Sequence, residues 1–403
     1  MGLTIATGLA LRGCRVVGID WDADKLERLA NAESRVTDET LRHALERVSI
    51  QATRDYTAVQ DSDMTFICVG TPSTSTGQMD LGQVEGATRQ VALALARVNS
   101  YHLVVVKSTV VPGTTVDRIV PLLAEHSGQA VGDSIGVCMS PEFLREGQEL
   151  DDFLHPSRLI IGEYDTHAGD RLYDLYSQFD TPILRTDPTT AEMIKYASNA
   201  FLATRISFVN EIGNLCKTLG IDVGTVAHGM GLDPRIGSSY LEPGIGFGGS
   251  CLPKDVKALI AKARESGYDC GLLQSVLDLN SEQPLRLVRR LEHRAGDLTG
   301  KRIAILGLAF KGGTDDVRES PAIPVIGELL ARGAQVAAYD PVASVNMEKL
   351  FHDIEYAPSA RDALAAADAC LILADWPEFR TLAREFEAMN SRVILEGRRV
   401  LDG

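Results

Sequence analysis

A cysteine follows three closely spaced glycines, with one serine between, in residues 246–255, which read Gly-Phe-Gly-Gly-Ser-Cys-Leu-Pro-Lys-Asp. Glycine lets the backbone adopt positive φ values and approach a ligand closely. A thiol becomes a good nucleophile where positive charge or a helix N-terminus lowers its pKa. Cys251 has a candidate for both, because Lys254 follows it and residues 255–263 have the pattern of a helix start. The segment predicts either a covalent nucleophile or a glycine-rich turn with an incidental buried cysteine.

An amine and an amide lie four residues apart in a second segment, residues 191–199, which read Ala-Glu-Met-Ile-Lys-Tyr-Ala-Ser-Asn. Apolar residues recur with a helical period from 191 to 219 and no proline interrupts them, which predicts one long helix or a broken pair. Lys195 and Asn199 then share one face and have the chemistry of an oxyanion-stabilising pair. The alternative is a solvated polar stripe, which the apolar residues on both sides disfavour.

Residues 15–20 read Arg-Val-Val-Gly-Ile-Asp, a short buried strand that ends in an acid. In a dinucleotide-binding βαβ unit such an acid binds the ribose hydroxyls, about 20 residues after the glycine loop. Asp20 is placed for that role; alternatively it caps the following helix. The first strand and the first two glycines of Gly-x-Gly-x-x-Gly would precede Gly2, which would be the third glycine. We expect the natural start to lie upstream, rather than the protein to lack part of this loop.

Four further apolar runs, at residues 64–69, 103–107, 135–139 and 159–162, have the spacing of a parallel sheet. Helical stretches separate them, which predicts a doubly wound α/β domain. Ligands of such sheets bind at the carboxyl ends of the strands. Three motifs follow there: Val-Gly-Thr-Pro at 69–72, Lys-Ser-Thr-Val at 107–110 and Ser-Pro-Glu-Phe-Leu-Arg-Glu-Gly at 140–147. Each by itself is explained by a turn, but three at one edge favour a ligand site.

The chain divides by pattern into three regions. Residues 1–185 predict an α/β domain, 186–295 an all-helical region, and 296–403 a second α/β domain that opens with a strand and a glycine turn. The fold class is therefore α/β, with two Rossmann-like doubly wound domains joined by a central all-helical region. In the last domain Lys311 and Arg318 follow the first strand, and two cations beside a helix N-terminus predict a phosphate site.

Composition excludes several classes of protein. With 403 residues and a net charge of −15, the chain lacks the basic character that nucleic-acid binding needs. No apolar run approaches the roughly 18 residues of a membrane span, and no signal segment opens the chain, so we expect no membrane partner. The seven cysteines contain no Cys-x-x-Cys pair. This predicts reduced thiols in the cytoplasm rather than a disulfide framework or a metal site.

Four motifs together resemble the nucleotide-sugar dehydrogenases of the UDP-glucose/GDP-mannose dehydrogenase family. They are residues 246–255, 140–147, 191–211 and 307–321, and they lie in all three predicted regions. The resemblance implies a two-step, NAD-dependent oxidation of a sugar's primary alcohol to the carboxylate. It also implies a homodimer or larger homo-oligomer, with the central helices at the interface.

The resemblance assigns the nucleophile and its oxyanion pair. Cys251 matches the cysteine that forms a thiohemiacetal with the aldehyde intermediate and then a thioester, which water hydrolyses. Lys195 and Asn199 match the two residues that stabilise the oxyanion. A positive Lys195 near the thiol would also lower the pKa of Cys251.

The resemblance also assigns the proton-transfer groups. Asp255 and Thr109 match positions that hold a water used in proton transfer. Glu142 and Glu146 match two acids, of which Glu146 is the expected base for thioester hydrolysis. The implied cofactor-binding residues are Gly2, Asp20, Lys25, Thr71, Thr109, Glu146, Lys254 and Arg318. The implied substrate-binding residues are Glu142, Phe143, Leu144, Lys195, Asn199, Arg235, Tyr240, Gly248, Phe310 and Lys311.

Substrate identity depends on smaller features. Residues 231–237, Gly-Leu-Asp-Pro-Arg-Ile-Gly, resemble the UDP-glucose branch, in which the arginine matching Arg235 reaches a neighbouring subunit's sugar site. Residues 66–72 and 251–255 resemble the GDP-mannose branch equally well. We expect oxidation of UDP-glucose to UDP-glucuronate, with GDP-mannose or another UDP-hexose as the alternative.

Two alternative functions, each from a different class of protein, remain. A nucleotide-sugar-binding protein without catalysis is favoured by the incomplete cofactor loop, and a single-step hydroxy-acid dehydrogenase would have no use for Cys251. One residue departs from the family pattern: Glu396 precedes a Gly-Arg pair where the family usually has an aspartate. This predicts an altered contact in the nucleotide domain rather than altered chemistry.

Overall fold

The computed structural model describes residues 1–30, 39–74 and 76–401. Contacts divide the chain into two compact units, Met1–Ala197 and Ser198–Gly403. The boundary falls inside one long helix, Pro188–Leu219. Ala191 of this helix packs in a core cluster of the N-terminal unit, whereas Ala200 and Ala203 pack in a cluster of the C-terminal unit. The three-domain division at 185 and 295 stays a prediction.

The N-terminal unit contains a five-stranded sheet and a separate parallel pair. Its described strands are β1 Val16–Ile19, β2 Ile50–Thr53, β3 Met64–Ile67, β4 His102–Val106, β5 Ile135–Met139, β6 Leu159–Glu163 and β7 Ile183–Thr186. The sheet has the order β3-β4-β5-β6-β7, and β1 pairs with β2. Strands β4 and β5 are buried at every residue, as expected where helices cover both faces.

Helices surround these strands. They are α1 Gly2–Leu11, α2 Ala23–Ala30, α3 Glu39–Leu45, α4 Gly82–Leu95, α5 Val120–Ser127, α6 Glu149–Leu154 and α7 Thr166–Tyr176. A π-helical turn, Thr115–Ile119, leads into α5. Helix α2 is capped by Asp22, whose carboxylate accepts hydrogen bonds from the N–H groups of Asp24 and Lys25. Asp20 Oδ1 accepts a hydrogen bond from the Asp22 N–H (3.0 Å), just before the helix, so the cap of α2 is Asp22 and not Asp20.

The predicted all-parallel order is right for β3, β4 and β5 and wrong for the next strand, because β6 runs antiparallel to β5. The connection between them carries α6, a helix of six residues. A parallel neighbour would need a crossover that returns the chain to the opposite end of the strands, and this connection makes none. An antiparallel neighbour needs no such crossover.

Among the described residues, no strand joins β1 to β3. A cavity of about 1810 Å³ is lined by residues of α1, β1 and β3. The expectation about the natural start of the chain stays a prediction.

The C-terminal unit begins with helices. They are α8 Pro188–Leu219, whose first turns belong to the N-terminal unit, α9 Val223–Gly231, α10 Leu252–Glu265 and α11 Gly271–Ala295. The structure confirms a single long helix over 191–219. It ends at Gly220, which adopts a φ of 70°, a conformation that glycine takes without strain. No helix in the described ranges is long and apolar enough to span a membrane.

A second sheet completes this unit. Its strands are β8 Arg302–Leu306, β9 Gln335–Tyr339, β10 Glu355–Tyr356, β11 Ala369–Ile372 and β12 Ile394–Glu396, and its helices are α12 Ala322–Ala331, α13 Ser344–Glu348 and α14 Ala360–Leu364. The order is β10-β9-β8-β11-β12 and every pairing is parallel. The chain starts at the centre and winds outward in both directions, which is the doubly wound topology. The predicted α/β fold class with a central helical region is confirmed.

The acid that follows β9 is fully engaged by the protein itself. Asp340 is buried. Its carboxylate accepts hydrogen bonds from four backbone N–H groups and one indole N–H; the donors are Leu308, Ala309, Val342, Ala343 and Trp376. These bonds fix the turn after β8 to the turn after β9.

Candidate active site

Two loops at the carboxyl ends of β3 and β4 are joined by hydrogen bonds. The Thr71 hydroxyl donates to the backbone oxygen of Thr109 (2.9 Å), and the Ser108 hydroxyl donates to that of Val69 (2.7 Å). Thr71, Ser108 and Thr109 are buried. The structure thus brings the predicted residues Thr71 and Thr109 together, at the strand ends where such sheets bind ligands.

An ion pair joins the loop after β5 to helix α8. Lys195 Nζ lies 3.1 Å from Glu142 Oε1, and the lysine side chain is only 4% exposed. The N–H of Leu144 donates to Glu142 Oε2 (2.6 Å), and the Phe143 ring centroid lies 5.3 Å from Lys195 Nζ. Burial by itself would raise the pKa of Glu142, but Lys195, the Leu144 N–H and Lys107 hold that pKa below its usual range. Four predicted substrate residues therefore form one cluster with a charged carboxylate.

Lys107, which follows β4, supports the loop that carries Glu142. Its Nζ donates to the backbone oxygen of Pro141 and to Ser140 Oγ, both at 3.3 Å. Lys107 belongs to one of the strand-end motifs, and its sequence context alone predicted no role for it. The signal was a lysine directly after a buried strand, since a buried cation needs partners nearby.

Glu192 ties the loop after β4 to helix α8. The residue is completely buried. Its Oε2 accepts a hydrogen bond from Gly113 N–H (2.6 Å), and its Oε1 accepts from the N–H (2.8 Å) and the hydroxyl (2.6 Å) of Thr115. Burial raises the pKa of Glu192 to about 7, although these hydrogen bonds act in the opposite direction. Sequence reasoning misses this residue, because a glutamate in a helix usually faces solvent.

Cys251 is the N-cap residue of α10 in the C-terminal unit. It is exposed and forms no disulfide, and its Sγ lies 3.6 Å from Ser250 Oγ. Pro253 stands in the first turn of the helix, where its fixed φ suits a helix start. Of the two readings of the glycine-rich segment, the buried incidental thiol is wrong. An exposed sulfur at a helix N-terminus is in the environment that favours the thiolate.

A buried carboxylate lies one turn further along α10. Asp255 is 2% exposed. Its Oδ2 accepts a hydrogen bond from Asn199 Nδ2 (2.6 Å), and its Oδ1 accepts one from Lys254 Nζ (2.6 Å). The structure therefore brings three predicted residues together. The partner of Lys254 seen here is Asp255; its role toward a cofactor stays a prediction.

The glycine loop before Cys251 is held by contacts that the sequence does not reveal. Asn280 exchanges two hydrogen bonds with the backbone of Phe247 (2.8 and 3.0 Å), and Arg398 donates to the backbone oxygen of Gly246 (2.6 Å). A Cβ on Gly248 would overlap the carbonyl oxygen of Glu319. Glycine is required there because another backbone segment passes too close for a side chain.

The cavity of the N-terminal unit contains three of the predicted cofactor residues, Gly2, Asp20 and Lys25. Asp20 Oδ2 lies 3.5 Å from Lys25 Nζ, and its carboxylate is 36% exposed. A Cβ on Gly2, at the start of α1, would lie 3.4 Å from Cys68 Cβ. The Asp20 carboxylate can accept hydrogen bonds from ribose hydroxyls, and the helix start at Gly2, which has no side chain, can approach a pyrophosphate. These residues therefore fit a dinucleotide.

The predicted phosphate site of the C-terminal sheet lies after β8. Arg318 pairs with Asp316 at 2.7 Å, and its side chain is largely exposed. Lys311 Nζ lies 5.8 Å from the Phe310 ring centroid. The Phe310 ring also lies 2.9 Å from where a Cβ on Gly249 would stand. This places Phe310 against the glycine loop that leads to Cys251.

Three predicted residues lie outside these clusters. Arg235 pairs with Asp233 in an exposed ion pair, and Tyr240 is exposed with a φ of 60°. Glu146 is half-buried in the loop after β5. Their predicted roles stay predictions. The atypical Glu396 accepts hydrogen bonds from the N–H groups of Val400 and Leu401 (2.7 and 2.8 Å).

Comparison with known proteins decides the family. Family models match the chain in three parts: an NAD binding domain over residues 1–180, a central domain over 189–282 and a UDP binding domain over 304–403. The chain belongs to the UDP-glucose/GDP-mannose dehydrogenase family. It is therefore an NAD-dependent oxidoreductase that acts on a nucleotide sugar, as the sequence motifs predicted.

Named relatives are similar over most or all of their length. The UDP-glucose 6-dehydrogenase AglM of Haloferax volcanii is 47% identical over 100% of this chain and 95% of its own. The GDP-mannose 6-dehydrogenase of Pseudomonas syringae is 38% identical over 84% of this chain and 78% of its own. The solved structure of a UDP-glucose dehydrogenase from Pyrobaculum islandicum is 40% identical, with a TM-score of 0.94 over 100% of this chain and 94% of its own.

Proposed function

We propose that this protein oxidises UDP-glucose to UDP-glucuronate in two NAD-dependent steps. The observation that carries the proposal is the exposed Cys251 at the N-terminus of α10, with the buried Asp255 one turn away and bonded to Asn199. A single-step dehydrogenase has no use for such a thiol. The relatives named as UDP-glucose 6-dehydrogenases, similar over the full chain, support UDP-glucose as the substrate.

The roles proposed for the residues follow from their chemistry. Cys251 Sγ adds to the aldehyde carbon, and the C–S bond retains the reactive intermediate until it is oxidised again. Lys195 and Asn199, one turn apart on α8, donate hydrogen bonds to the developing oxyanion. Thr109 and Asp255 hold the water used in proton transfer, and Glu146 is the base that activates water for thioester hydrolysis. NAD, when bound, accepts the hydride.

The remaining proposed roles concern binding. The cofactor is held by Gly2, Asp20, Lys25, Thr71, Thr109, Glu146, Lys254 and Arg318. The nucleotide sugar is held by Glu142, Phe143, Leu144, Lys195, Asn199, Arg235, Tyr240, Gly248, Phe310 and Lys311. In this assignment Glu142 orients Lys195 through the ion pair of 3.1 Å.

The test is the ratio of NADH formed to sugar consumed. The purified protein is incubated with NAD and limiting UDP-glucose, and NADH is followed by absorbance while UDP-glucuronate is measured by chromatography. Two NADH for each UDP-glucose support the proposal. A ratio of one refutes the double oxidation. Faster turnover with GDP-mannose or a UDP-N-acetylhexosamine, tested in parallel, refutes the substrate assignment.

We also propose that the protein forms a homodimer through the C-terminal part of α8. Four large apolar side chains are strongly exposed along this helix at intervals of seven, seven and four residues; they are Phe201, Phe208, Leu215 and Leu219. This spacing places them on one stripe. A contiguous exposed apolar stripe of this kind is typical of a subunit interface.

We further propose that the protein works in the cytoplasm. None of the seven cysteines forms a disulfide, and three of them, Cys138, Cys216 and Cys370, are buried. Free thiols persist where the compartment is reducing. Fractionation of the source cells with an antibody to the protein checks the location, and recovery outside the cytoplasmic fraction contradicts it.

A further inference from the structure

Helix α8 carries a buried carboxylate to which the proposed reaction assigns no role. Glu192 stands three residues before Lys195 and has no exposed surface. A buried carboxylate is costly unless hydrogen bonds satisfy it. Both of its oxygens accept such bonds, from Gly113 N–H and from the N–H and hydroxyl of Thr115. Its position is therefore closely determined by its partners, and theirs by it.

These bonds connect two functional elements of the N-terminal unit. Gly113 and Thr115 lie four and six residues after Thr109, on the loop that follows β4. At its other end the loop is held by the Thr71 hydroxyl, which donates to the Thr109 backbone oxygen at 2.9 Å. Thr109 thus lies between two sets of hydrogen bonds, one from Thr71 and one from Glu192. Glu192 belongs to the helix that carries Lys195.

A purely local role, as a cap for the π-helical turn Thr115–Ile119, explains less. The N-cap residue of that turn, Thr114, makes no side-chain cap hydrogen bond, so Glu192 does replace a missing cap. However, a cap is normally the residue beside the helix start, and one oxygen of its side chain accepts the bond. Glu192 instead binds on both sides of Thr114 and belongs to an element distant in sequence. Its bonds fix the loop relative to α8 as well as closing the turn.

We propose that Glu192 is a positioning residue that fixes the Thr109 loop against the turn of α8 that carries Lys195. This inference rests on the proposed function, in which Thr109 holds a water and Lys195 stabilises an oxyanion. Glu192 acts through the loop and the helix and does not touch the reacting atoms. A displacement of about 1 Å in catalytic groups costs up to ~10²-fold in rate. Loosening this connection therefore lowers kcat more than it weakens binding.

Three variants measure the connection. Glu192→Gln keeps the shape but places an amide donor opposite the donors from Gly113 or Thr115. Thr115→Val removes the hydroxyl donor, and Thr115→Ser retains it. We expect kcat with UDP-glucose and NAD to fall about 10-fold in Glu192→Gln and about 3-fold in Thr115→Val, with KM values within about 2-fold of the wild type. Thr115→Ser is expected to keep the wild-type kcat.

A matched control separates positioning from stability. Glu163 accepts a hydrogen bond from Arg185 Nε (2.8 Å) in the same unit, on β6, and has no role in the proposed site. Glu163→Gln is expected to lower the unfolding midpoint and to leave kcat unchanged. Wild-type kcat in a folded Glu192→Gln protein overturns the inference. So does an equal loss of kcat in Glu163→Gln.

A measurement that does not depend on catalysis tests the role of Glu192 independently of the proposed function. Amide hydrogen exchange of peptides covering residues 107–116 is measured by mass spectrometry on the full-length protein. We expect exchange to be about 10-fold faster in Glu192→Gln than in the wild type and unchanged in Glu163→Gln. Unchanged exchange in Glu192→Gln overturns the inference. If the wild type oxidises no nucleotide sugar, the proposed function fails and the exchange comparison still decides whether Glu192 holds the loop.

Discussion

At the scale of single residues, Cys251 combines an exposed sulfur with a helix N-terminus. We predict that Cys251→Ser lowers the rate of UDP-glucuronate formation by ~10³-fold or more, because a serine hydroxyl has no comparable nucleophilicity in this position. We expect the first oxidation, from alcohol to aldehyde, to lose less activity than the second, because the thiol acts only on the aldehyde. Chromatography of products and NADH absorbance together measure the two oxidations separately.

A second cysteine supplies the control for this substitution. Cys270 is the N-cap residue of α11, as Cys251 is of α10. Cys270→Ser is expected to keep the activity of the wild type. Unchanged UDP-glucuronate formation by Cys251→Ser would remove the covalent mechanism.

The ion pair between Lys195 and Glu142 predicts a pH-dependent stability. The pKa of Glu142 is lowered in the folded protein, so its contribution to stability is present above its ordinary pKa of 4.5 and is lost as the pH falls. Lys195→Met leaves a buried anion without this partner. We predict a loss of about 3 kcal/mol in unfolding free energy at pH 8 and a much smaller loss at pH 5, because without Lys195 burial raises the pKa of Glu142 and the carboxyl takes up a proton. Urea denaturation at both pH values measures the difference.

The double variant Lys195→Met/Glu142→Gln is the control for charge. Because it removes the unpaired anion, it should recover most of the stability that the single variant loses at pH 8. A single variant that is destabilised equally at pH 5 and pH 8 contradicts the electrostatic explanation.

How much of the site the sequence predicts depends on how far apart the contacting residues are along the chain. Cys251, Asp255 and Lys254 lie in one short motif, so their proximity follows from helix geometry. Asn280 and Arg398 hold the same loop from about 33 and 152 residues away. No local pattern marks such partners, because an asparagine in a helix and an arginine near the C-terminus each have many ordinary uses.

At the scale of elements, the glycine loop before α10 has no space for a side chain at Gly248. Gly248 lies so close to the Glu319 carbonyl oxygen that a Cβ would overlap it. We predict that Gly248→Ala costs about 2 kcal/mol of unfolding free energy and displaces the loop that leads to Cys251. Urea denaturation and the rate of NADH formation measure the two effects.

A glycine of the same unit provides the matched control. Gly229 lies within α9, and a Cβ there would meet nothing within 4 Å. Gly229→Ala is expected to raise the unfolding free energy by up to about 1 kcal/mol, since alanine restricts the unfolded chain and favours a helix. Equal effects of the two substitutions would show that the contact with Glu319 is unimportant.

The strands also differ in how well their own sequences predict them. The buried strands β4 and β5 are visible as continuous apolar runs, whereas β2 and β7 carry polar residues and are mostly half-buried at the edges. Their sequences therefore lack the signal on which strand prediction depends. The apolar pattern of β6 does not reveal that it runs antiparallel to β5, because strand direction depends on how the connection returns the chain.

At the scale of the whole molecule, the apolar stripe on α8 predicts the oligomeric state. Phe208 lies in the middle of the stripe and is 47% exposed. We predict that Phe208→Asp converts the proposed dimer to a monomer at micromolar concentration, because it buries a charge in an apolar interface. Size-exclusion chromatography with light scattering gives the mass.

An exposed leucine in the other unit is the control for this experiment. Leu93 lies on α4 and is 52% exposed. Leu93→Asp should retain the oligomeric state of the wild type. A dimeric Phe208→Asp protein, or a monomeric wild type, contradicts the interface assigned to α8.

The buried Asp340 bears on how many dinucleotides one chain can bind. Five N–H donors engage its carboxylate, and a carboxylate offers about four lone-pair sites. No acceptor capacity is left for the hydroxyls of a ribose. Asp20, which also follows a strand, keeps a partly exposed carboxylate in its cavity. We therefore expect ribose binding at Asp20 and not at Asp340, and a stoichiometry of one NAD per chain.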